Sequence, residues 1–438
     1  MKKFFIITFG CKVNQYESEY VKEMLEEKNF KNVDDYKDAD IVIVNSCTVT
    51  AQGDSKVYKF LRRVKRANED CIVVLSGCLP QAFPNDIDLS NVDIVTGNTE
   101  YNNISKMIDE YIKTGEKIVS ITPHKKDEKF QKMCIREFSE HTRAFVKIQD
   151  GCNNFCSYCI IPYSRGRIRS KSISDIEKEL TDLAHNGYKE IVLTGINLSC
   201  FGKEENKSLV DAVKIANSID KIKRIRLGSL EPELLTEAVL KELSEIEKFC
   251  PQFHISLQSG CDKTLKRMNR HYTTAEYRKI VKDIRTYFEN PAITTDIMVG
   301  FAGETEEDFK TSSDFANEIK FSRIHVFPYS KRPGTIACKY EDQVPNDTKV
   351  RRAKIMTEQA NRLQKEFLIN QVGKKARLLV ERKAKESSEF SDTKKEVYEG
   401  YSENYTFIKV ESDKDIVGEI IDVKIISSAD RYCIAEIL

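Results

Sequence analysis

Two rhythms of apolar and polar positions alternate along the first 114 residues. FFIITFG, DIVIVNS, CIVVLSG and VDIVTG are apolar runs of strand length, whereas VNQYESEYVKEMLEEKNF and VYKFLRRVKRAN bring apolar residues back every three or four positions, as a helix with one buried face does. This alternation predicts a parallel, doubly wound α/β domain over 1–114. Residues 115–143 lose the rhythm, carry Pro123 and mixed charges, and read as a linker. The rhythm resumes with AFVKIQ, EIVLTG, RIRLGS, FHISLQ, AITTDIMVGF and RIHVFPY, separated by helical stretches such as SISDIEKELTDLAHNG and TAEYRKIVKDIRTYF. Six βα repeats over 144–370 predict a curved parallel sheet, a partial (βα)6 barrel of TIM-like form. A charged helix, DTKVRRAKIMTEQANRLQKEFLINQVG, leads to the short runs ARLLVER, YTFIKVES, VGEIIDVKII and YCIAEIL, which predict a small OB-like β-barrel over 371–438.

Composition changes this picture little. No apolar run approaches the roughly 20 residues of a membrane span, and MKKFFIITFGCKVNQ reads as a strand, not a signal peptide. The net charge of +1 leaves any nucleic-acid binding to local basic patches: Arg165, Arg167, Arg169 and Lys171; Arg62, Arg63, Lys65 and Arg66; Lys374, Lys375 and Arg377. Thirteen cysteines without an export signal point to a reducing compartment, the cytoplasm, where cysteine clusters bind metal or do chemistry. Cys71, Cys134, Cys200, Cys250, Cys261, Cys338 and Cys433 are scattered and read as core filling.

The other six cysteines form two sets. Cys11, Cys47 and Cys78 each follow a turn residue at the end of a predicted strand, and the ends of parallel strands converge at one sheet edge. Cys152, Cys156 and Cys159 fall within DGCNNFCSYCIIPYSRGR, on the loop after the first barrel strand. A structural zinc site uses four ligands, and no histidine lies near this loop to complete one. Three thiolates instead suit an iron–sulfur cube with one iron left open, unless a distant residue donates the fourth ligand. Polar residues also collect toward the strands' carboxyl ends: Gln149, Asp150, Thr194, Asn197, Ser229, Glu231, Gln258, Ser259, Asp296, His325 and Tyr329. MVGFAGET lacks the lysine and spacing of a phosphate loop and reads as a strand-to-helix turn.

The CxxxCxxC spacing on that loop resembles the radical S-adenosylmethionine enzymes. With the three strand-end cysteines and the final barrel, the chain resembles, over essentially its whole length, the methylthiotransferases, whose last domain is a TRAM barrel. The resemblance implies a [4Fe–4S] cluster on Cys152, Cys156 and Cys159, whose open iron chelates S-adenosylmethionine and whose electron releases a 5′-deoxyadenosyl radical. It implies a second [4Fe–4S] cluster on Cys11, Cys47 and Cys78, able to carry sulfur. Two molecules of S-adenosylmethionine would be used, one giving a methyl group to that sulfur, the other generating the radical. Thr194, Ser229, Glu231, Gln258 and Asp296 are the implied cofactor contacts. The implied partners are a tRNA anticodon stem-loop, an external electron donor and a sulfur source, with no membrane.

Family members modify an adenosine next to the anticodon, bearing threonylcarbamoyl or isopentenyl on N6, or a ribosomal-protein aspartate. GCKVNQYES, NSCTVT, CSYCIIPYSRGRIRS, HISLQSG and RIHVFPYSKRPGT resemble the threonylcarbamoyl branch, and Thr48-Val49-Thr50 stands where the isopentenyl branch has an arginine. GCLPQ around Cys78 departs from the tyrosine and alanine expected there. The expected reaction is methylthiolation of C2 of N6-threonylcarbamoyladenosine at position 37. The alternatives are the isopentenyladenosine reaction and a non-catalytic iron–sulfur RNA-binding redox sensor.

Overall fold

The computed structural model describes residues 1–138, 142–384 and 395–438. Strands β1 (Lys3–Phe9), β2 (Lys31–Asn32), β3 (Ile41–Ser46), β4 (Ile72–Gly77), β5 (Ile94–Thr96) and β6 (Ile118–Ser120) form one parallel sheet in the order β2-β1-β3-β4-β5-β6. Its central strands, IVIVNS and IVVLSG, are buried along their whole length because helices cover both faces. These helices are α1 (Lys12–Glu26), α2 (Ala51–Ala67), the short α3 (Cys78–Ala82) and α4 (Ile104–Thr114).

The segment read as a linker contributes one short strand and several buried side chains. Ile118–Ser120 pairs with β5, and Met133, Ile135 and Phe138 are buried in the core shared with the barrel. Apolar residues at irregular spacing can be buried one by one by neighbours distant in sequence, which periodicity does not reveal.

The barrel follows. β7 (Arg143–Lys147) leads into a two-residue strand, β8 (Gln149–Asp150), the cysteine loop, α5 (Ile161–Arg165), β9 (Arg169–Ser170), which pairs with β8, and α6 (Ile173–His185). The barrel continues through β10 (Glu190–Thr194), α7 (Leu209–Ser218), β11 (Arg224–Leu227), β12 (Ser229–Leu230) and α8 (Glu237–Ser244). It ends with β13 (Gln252–Ile255), α9 (Asp262–Arg267), α10 (Thr274–Tyr287), β14 (Ala292–Val299), α11 (Glu306–Ile319), β15 (Arg323–Pro328) and α12 (Asn346–Ile369). RIRLGS, expected as one strand, breaks at Gly228 and so divides the sheet into β11-β10-β7 and β12-β13-β14-β15, all parallel. An Ile225–Phe249 bridge helps join the two parts. The result is the expected partial barrel of six strand units, open between its first and last strands.

The long α12 delivers Phe367 and Leu368 to the core of a closed five-stranded barrel, in the order β16 (Lys375–Lys383), β17 (Glu396–Tyr401), β18 (Phe407–Ser412), β20 (Cys433–Ile437) and β19 (Ile420–Ser428). Inward residues at every second position, such as Ile408 and Val410, fill it.

Candidate functional site

Three adjacent strand ends carry the first cysteine set. Phe9, Ser46 and Gly77 are level across β1, β3 and β4, so the residues just beyond them, Cys11, Cys47 and Cys78, emerge at one edge. Gly77 has φ +99, and a Cβ there would meet the Ser46 carbonyl oxygen at 2.4 Å, so only glycine lets β4 turn this closely into Cys78. Asn14 knits the edge together: its side-chain oxygen accepts from the Cys11 amide and thiol, both at 3.3 Å, and its amide nitrogen donates to Asn45 at 3.3 Å. Tyr101 donates to Glu17 at 2.9 Å and to Asn45 at 3.1 Å. Burial pushes the Cys47 thiol up to about 12, with Cys78 and then Cys11 adding to the rise.

The second set is confined to one loop. Gly151, at φ +72, precedes Cys152, and a Cβ there would strike the Arg167 carbonyl oxygen at 1.9 Å. Phe155, inside the loop, is held at φ 47, a left-handed conformation that costs energy for an aromatic residue and fixes the path between Cys152 and Cys156. Arg270 donates to Cys156 Sγ at 3.3 Å, and its guanidinium also pairs with Glu231. Asn197 donates to Cys152 Sγ at 3.6 Å. Burial raises all three thiols, Cys152 to about 11, with Cys156 and Cys152 adding to the rise at Cys159.

The two sets meet at a domain junction. α3, which begins at Cys78, packs on α5, which follows Cys159. Asn98 donates to the Ser164 carbonyl at 2.6 Å and lies 4.0 Å from Cys78 Sγ. Arg165, fully buried, pairs with Glu17 at 2.7 Å and Asp150 at 3.3 Å, and Lys147 pairs with the same carboxylates at 2.8 and 2.6 Å. The neighbouring cations, Lys147 first, hold the Asp150 carboxyl far below the usual range against the cost of burial. On the far side of the Cys47 loop, Arg332 reaches from the barrel to Thr48 at 2.6 Å and Asp54 at 2.7 Å.

These ion pairs correct one expectation. Arg165, Arg169 and Lys171 do not present charge to phosphates. They are buried, with Arg169 3.4 Å from Asp150 and Lys171 against Glu179, while Arg167 alone of the four is exposed. Arg62, Arg63, Arg66, Lys374, Lys375 and Arg377 are exposed as expected. Of the scattered cysteines, Cys71, Cys250, Cys261 and Cys433 are buried, but Cys134 is exposed and Cys200 and Cys338 are half-buried.

The expected cofactor contacts fall at different depths. Glu231 is tied to the cysteine loop through Arg270, and burial raises its carboxyl above the ordinary range although Arg270 opposes it. Thr194 ends β10, and Gln258, at φ 65, lies just beyond β13. Ser229 opens β12, 3.1 Å from the Ser256 hydroxyl. Asp296 lies within β14, level with His325 and 3.5 Å from His254. Sequence patterning did not single out Arg270 or His254. Arg270 follows a helix on a βα loop, where no periodicity marks it, and His254 sits inside a strand run.

The donors fit the clusters that the resemblance implies. All six cysteines are free thiols, and each set has a neighbouring guanidinium. Among the described residues, no three histidine, cysteine or carboxylate side chains close around a point as the shell of one metal ion requires, whereas a cube takes its thiolates on separate irons. Near the second set the buried oxygens Asn197 Oδ1 and Gln258 Oε1 lack hydrogen-bond partners, which leaves acceptors for an incoming polar ligand.

Comparison with known proteins agrees. Residues 146–316 match the radical SAM superfamily, and residues 3–97 match the uncharacterized protein family UPF0004. A threonylcarbamoyladenosine tRNA methylthiotransferase MtaB of Bacillus subtilis is 35% identical over 97% of this chain and 94% of its own length. A tRNA-2-methylthio-N(6)-dimethylallyladenosine synthase of Clostridium tetani is 36% identical over 96% and 93%. The radical S-adenosylmethionine methyltransferase TsrM of Kitasatospora setae shares the fold, with a TM-score of 0.54 at 14% identity over 74% of this chain and 73% of its own. The barrel and its cysteine loop are thus those of a radical S-adenosylmethionine protein. Within that class, the chain belongs to the methylthiotransferase family. No helix among the described residues is long and apolar enough to cross a membrane.

Proposed function

We propose that the chain adds a methylthio group to C2 of N6-threonylcarbamoyladenosine at position 37 of tRNA. The observation that carries this reading is near-full-length identity of 35% to MtaB-named enzymes, in a chain whose two cysteine sets meet at one junction. Cys152, Cys156 and Cys159 would hold one [4Fe–4S] cluster and Cys11, Cys47 and Cys78 the other. When bound, these clusters supply the electron that cleaves S-adenosylmethionine and the sulfur that is transferred. Arg270 orients Glu231 beside Cys156, and Thr194, Ser229, Gln258 and Asp296 are assigned to the cofactor from the family resemblance. Arg165 and Lys147 lock the first domain onto the barrel through Glu17, so the two cysteine sets keep a fixed relation. We assign residues 1–114, 144–370 and 371–438 to the methylthiotransferase, radical and TRAM domains.

The isopentenyladenosine reaction is the second reading, supported by clostridial dimethylallyladenosine synthases of 36% and 35% identity. The test is anaerobic reconstitution, incubation with S-adenosylmethionine, a reductant and unmethylthiolated tRNA, and mass analysis of the digested nucleosides. The 2-methylthio derivative of N6-threonylcarbamoyladenosine is expected. Only the isopentenyl derivative would transfer the chain to the sister branch, and absence of 5′-deoxyadenosine would return the non-catalytic sensor.

A further inference from the structure

At the end of the barrel opposite the cysteines, a cavity of about 390 Å³ lies between β14, β15, the last turns of α12 and the loop that joins β17 to β18 in the small barrel. That is within the range of small-ligand sites. Its walls include Arg323, His325 and Arg431, and the aromatic group Tyr401, Tyr405 and Phe407; no aspartate or glutamate among the described residues lines it. The arginines nearby divide into two kinds. Arg143, Arg224 and Arg226 are buried and matched by Glu190, with Glu381 on Arg143. Arg323 and Arg431 are exposed, and among the described residues neither has an ion-pair or hydrogen-bond partner. The cavity therefore gathers, beside a wall of rings, two arginines without an ion-pair partner among the described residues, with Asp430, next to Arg431, held by Lys365 at 2.9 Å. Tyr401 and Tyr405 stack at 4.3 Å, with Phe407 5.0 Å from Tyr401.

Separately, each feature is ordinary. Together they match a ligand with an anionic end and a flat, polar ring, since guanidinium groups bind phosphate oxygens and aromatic side chains stack bases. We propose that this cavity binds one nucleoside phosphate unit, its phosphate against Arg323 and Arg431 and its base against Tyr401, Tyr405 and Phe407. Burial and the Arg323 charge lower the pKa of His325, so near neutral pH it offers the sugar or base a neutral ring with one donor and one acceptor. The site does not depend on which adenosine the chain modifies, and none of its lining residues is among those assigned to S-adenosylmethionine, although His325 is level with Asp296 across β15 and β14.

The test is equilibrium titration of the reconstituted full chain, in saturating S-adenosylmethionine without reductant, with each ribonucleoside 5′-monophosphate, the matching nucleosides and a short single-stranded RNA. At least one phosphate-bearing ligand should bind, with its nucleoside weaker by about tenfold or more. Arg323→Ala and Arg431→Ala should each weaken binding by a similar factor, Arg323→Lys by less, and Arg62→Ala on α2 not at all. RNA binding more tightly than the monophosphate and being displaced by it identifies the unit as part of RNA; binding of the monophosphate alone identifies a free nucleotide. No binding by any phosphate ligand, or undiminished binding in folded Arg323→Ala and Arg431→Ala proteins, overturns the site.

Discussion

Where the barrel faces the first domain, the carboxylates of Glu17 and Asp150 are buried among Lys147, Arg165 and Arg169, with Glu128 shared between Arg169 and His124. Where it faces the small barrel, Glu190 is buried among Arg143, Arg224 and Arg226. The same device docks both neighbours, yet the remaining charge is handled differently. At the lower junction the guanidinium groups finish on backbone oxygens: Arg224 on Tyr401 at 3.1 Å, and Arg226 on Ser402 and Glu403, both at 2.6 Å. Tyr401 and Tyr405 cover Arg143 at about 5 Å. At the upper junction Arg165 directs its charge toward Cys78 and Cys47, favouring their thiolates against burial. One junction closes its buried arginines on protein oxygens; the other turns part of a buried guanidinium's charge toward two of the six cysteines.

The largest effect should come from the thiols themselves. Cys47→Ala should halve the iron bound after anaerobic reconstitution and abolish methylthio product while 5′-deoxyadenosine still forms. Cys156→Ala should also halve the iron but abolish 5′-deoxyadenosine. Unchanged methylthio product in Cys47→Ala would end the assignment of the upper junction to a cluster.

Next come the carboxylates at the two centres. Removing one partner of a buried, hydrogen-bonded ion pair costs about 3–5 kcal/mol. Glu17→Gln should reach that range because it leaves two fully buried cations, Arg165 and Lys147, to share Asp150 as their one remaining carboxylate partner among the described residues. Glu190→Gln should fall at its lower end, because backbone carbonyls still hold Arg224 and Arg226. Denaturant unfolding of both variants checks the order, and the reverse order would show that the carbonyls contribute little.

Acid should separate the junctions further. Three arginines, led by Arg226, lower the Glu190 carboxyl from 4.5 to about 2 despite burial. A depressed carboxylate stabilises the fold fully above its unfolded value and less as protons reach it. The Glu190 contribution is therefore intact above about pH 4.5 and lost progressively toward pH 2. Glu190→Gln should flatten the fall of melting temperature in that window and leave the slope above pH 5 unchanged.

How much of this was legible in the sequence follows from the range of each interaction. IVIVNS and IVVLSG announced buried parallel strands, and three strand-end cysteines announced their own convergence, because a parallel sheet aligns strand ends. The six barrel strands were equally plain, apart from the break at Gly228. Arg165 was misread because its partner Glu17 lies 148 residues away, and a charge pattern carries no sign of such a neighbour. Arg169 and Lys171 meet Asp150 and Glu179 much nearer in sequence, but across turns, where no helix or strand period links the partners. Ile118–Ser120 passed as part of a linker because a three-residue strand is too short to show a period.

The smallest effect belongs at the rim of the lower junction. Lys189 reaches Glu419 at 2.9 Å with side chains 35% and 59% exposed, so the pair bridges the two barrels in contact with water. Such pairs contribute about 0.2–1 kcal/mol, because screening and the ordering of two long side chains offset the attraction. Lys189 also donates to the Gly418 carbonyl at 3.1 Å, a contact that water replaces when the side chain is cut back. Lys189→Met should accordingly shift the unfolding free energy by no more than about 1 kcal/mol, and less at high salt. A loss as large as that of Glu190→Gln would place the docking energy at the exposed rim, and with it break the contrast drawn between the two buried arginine centres.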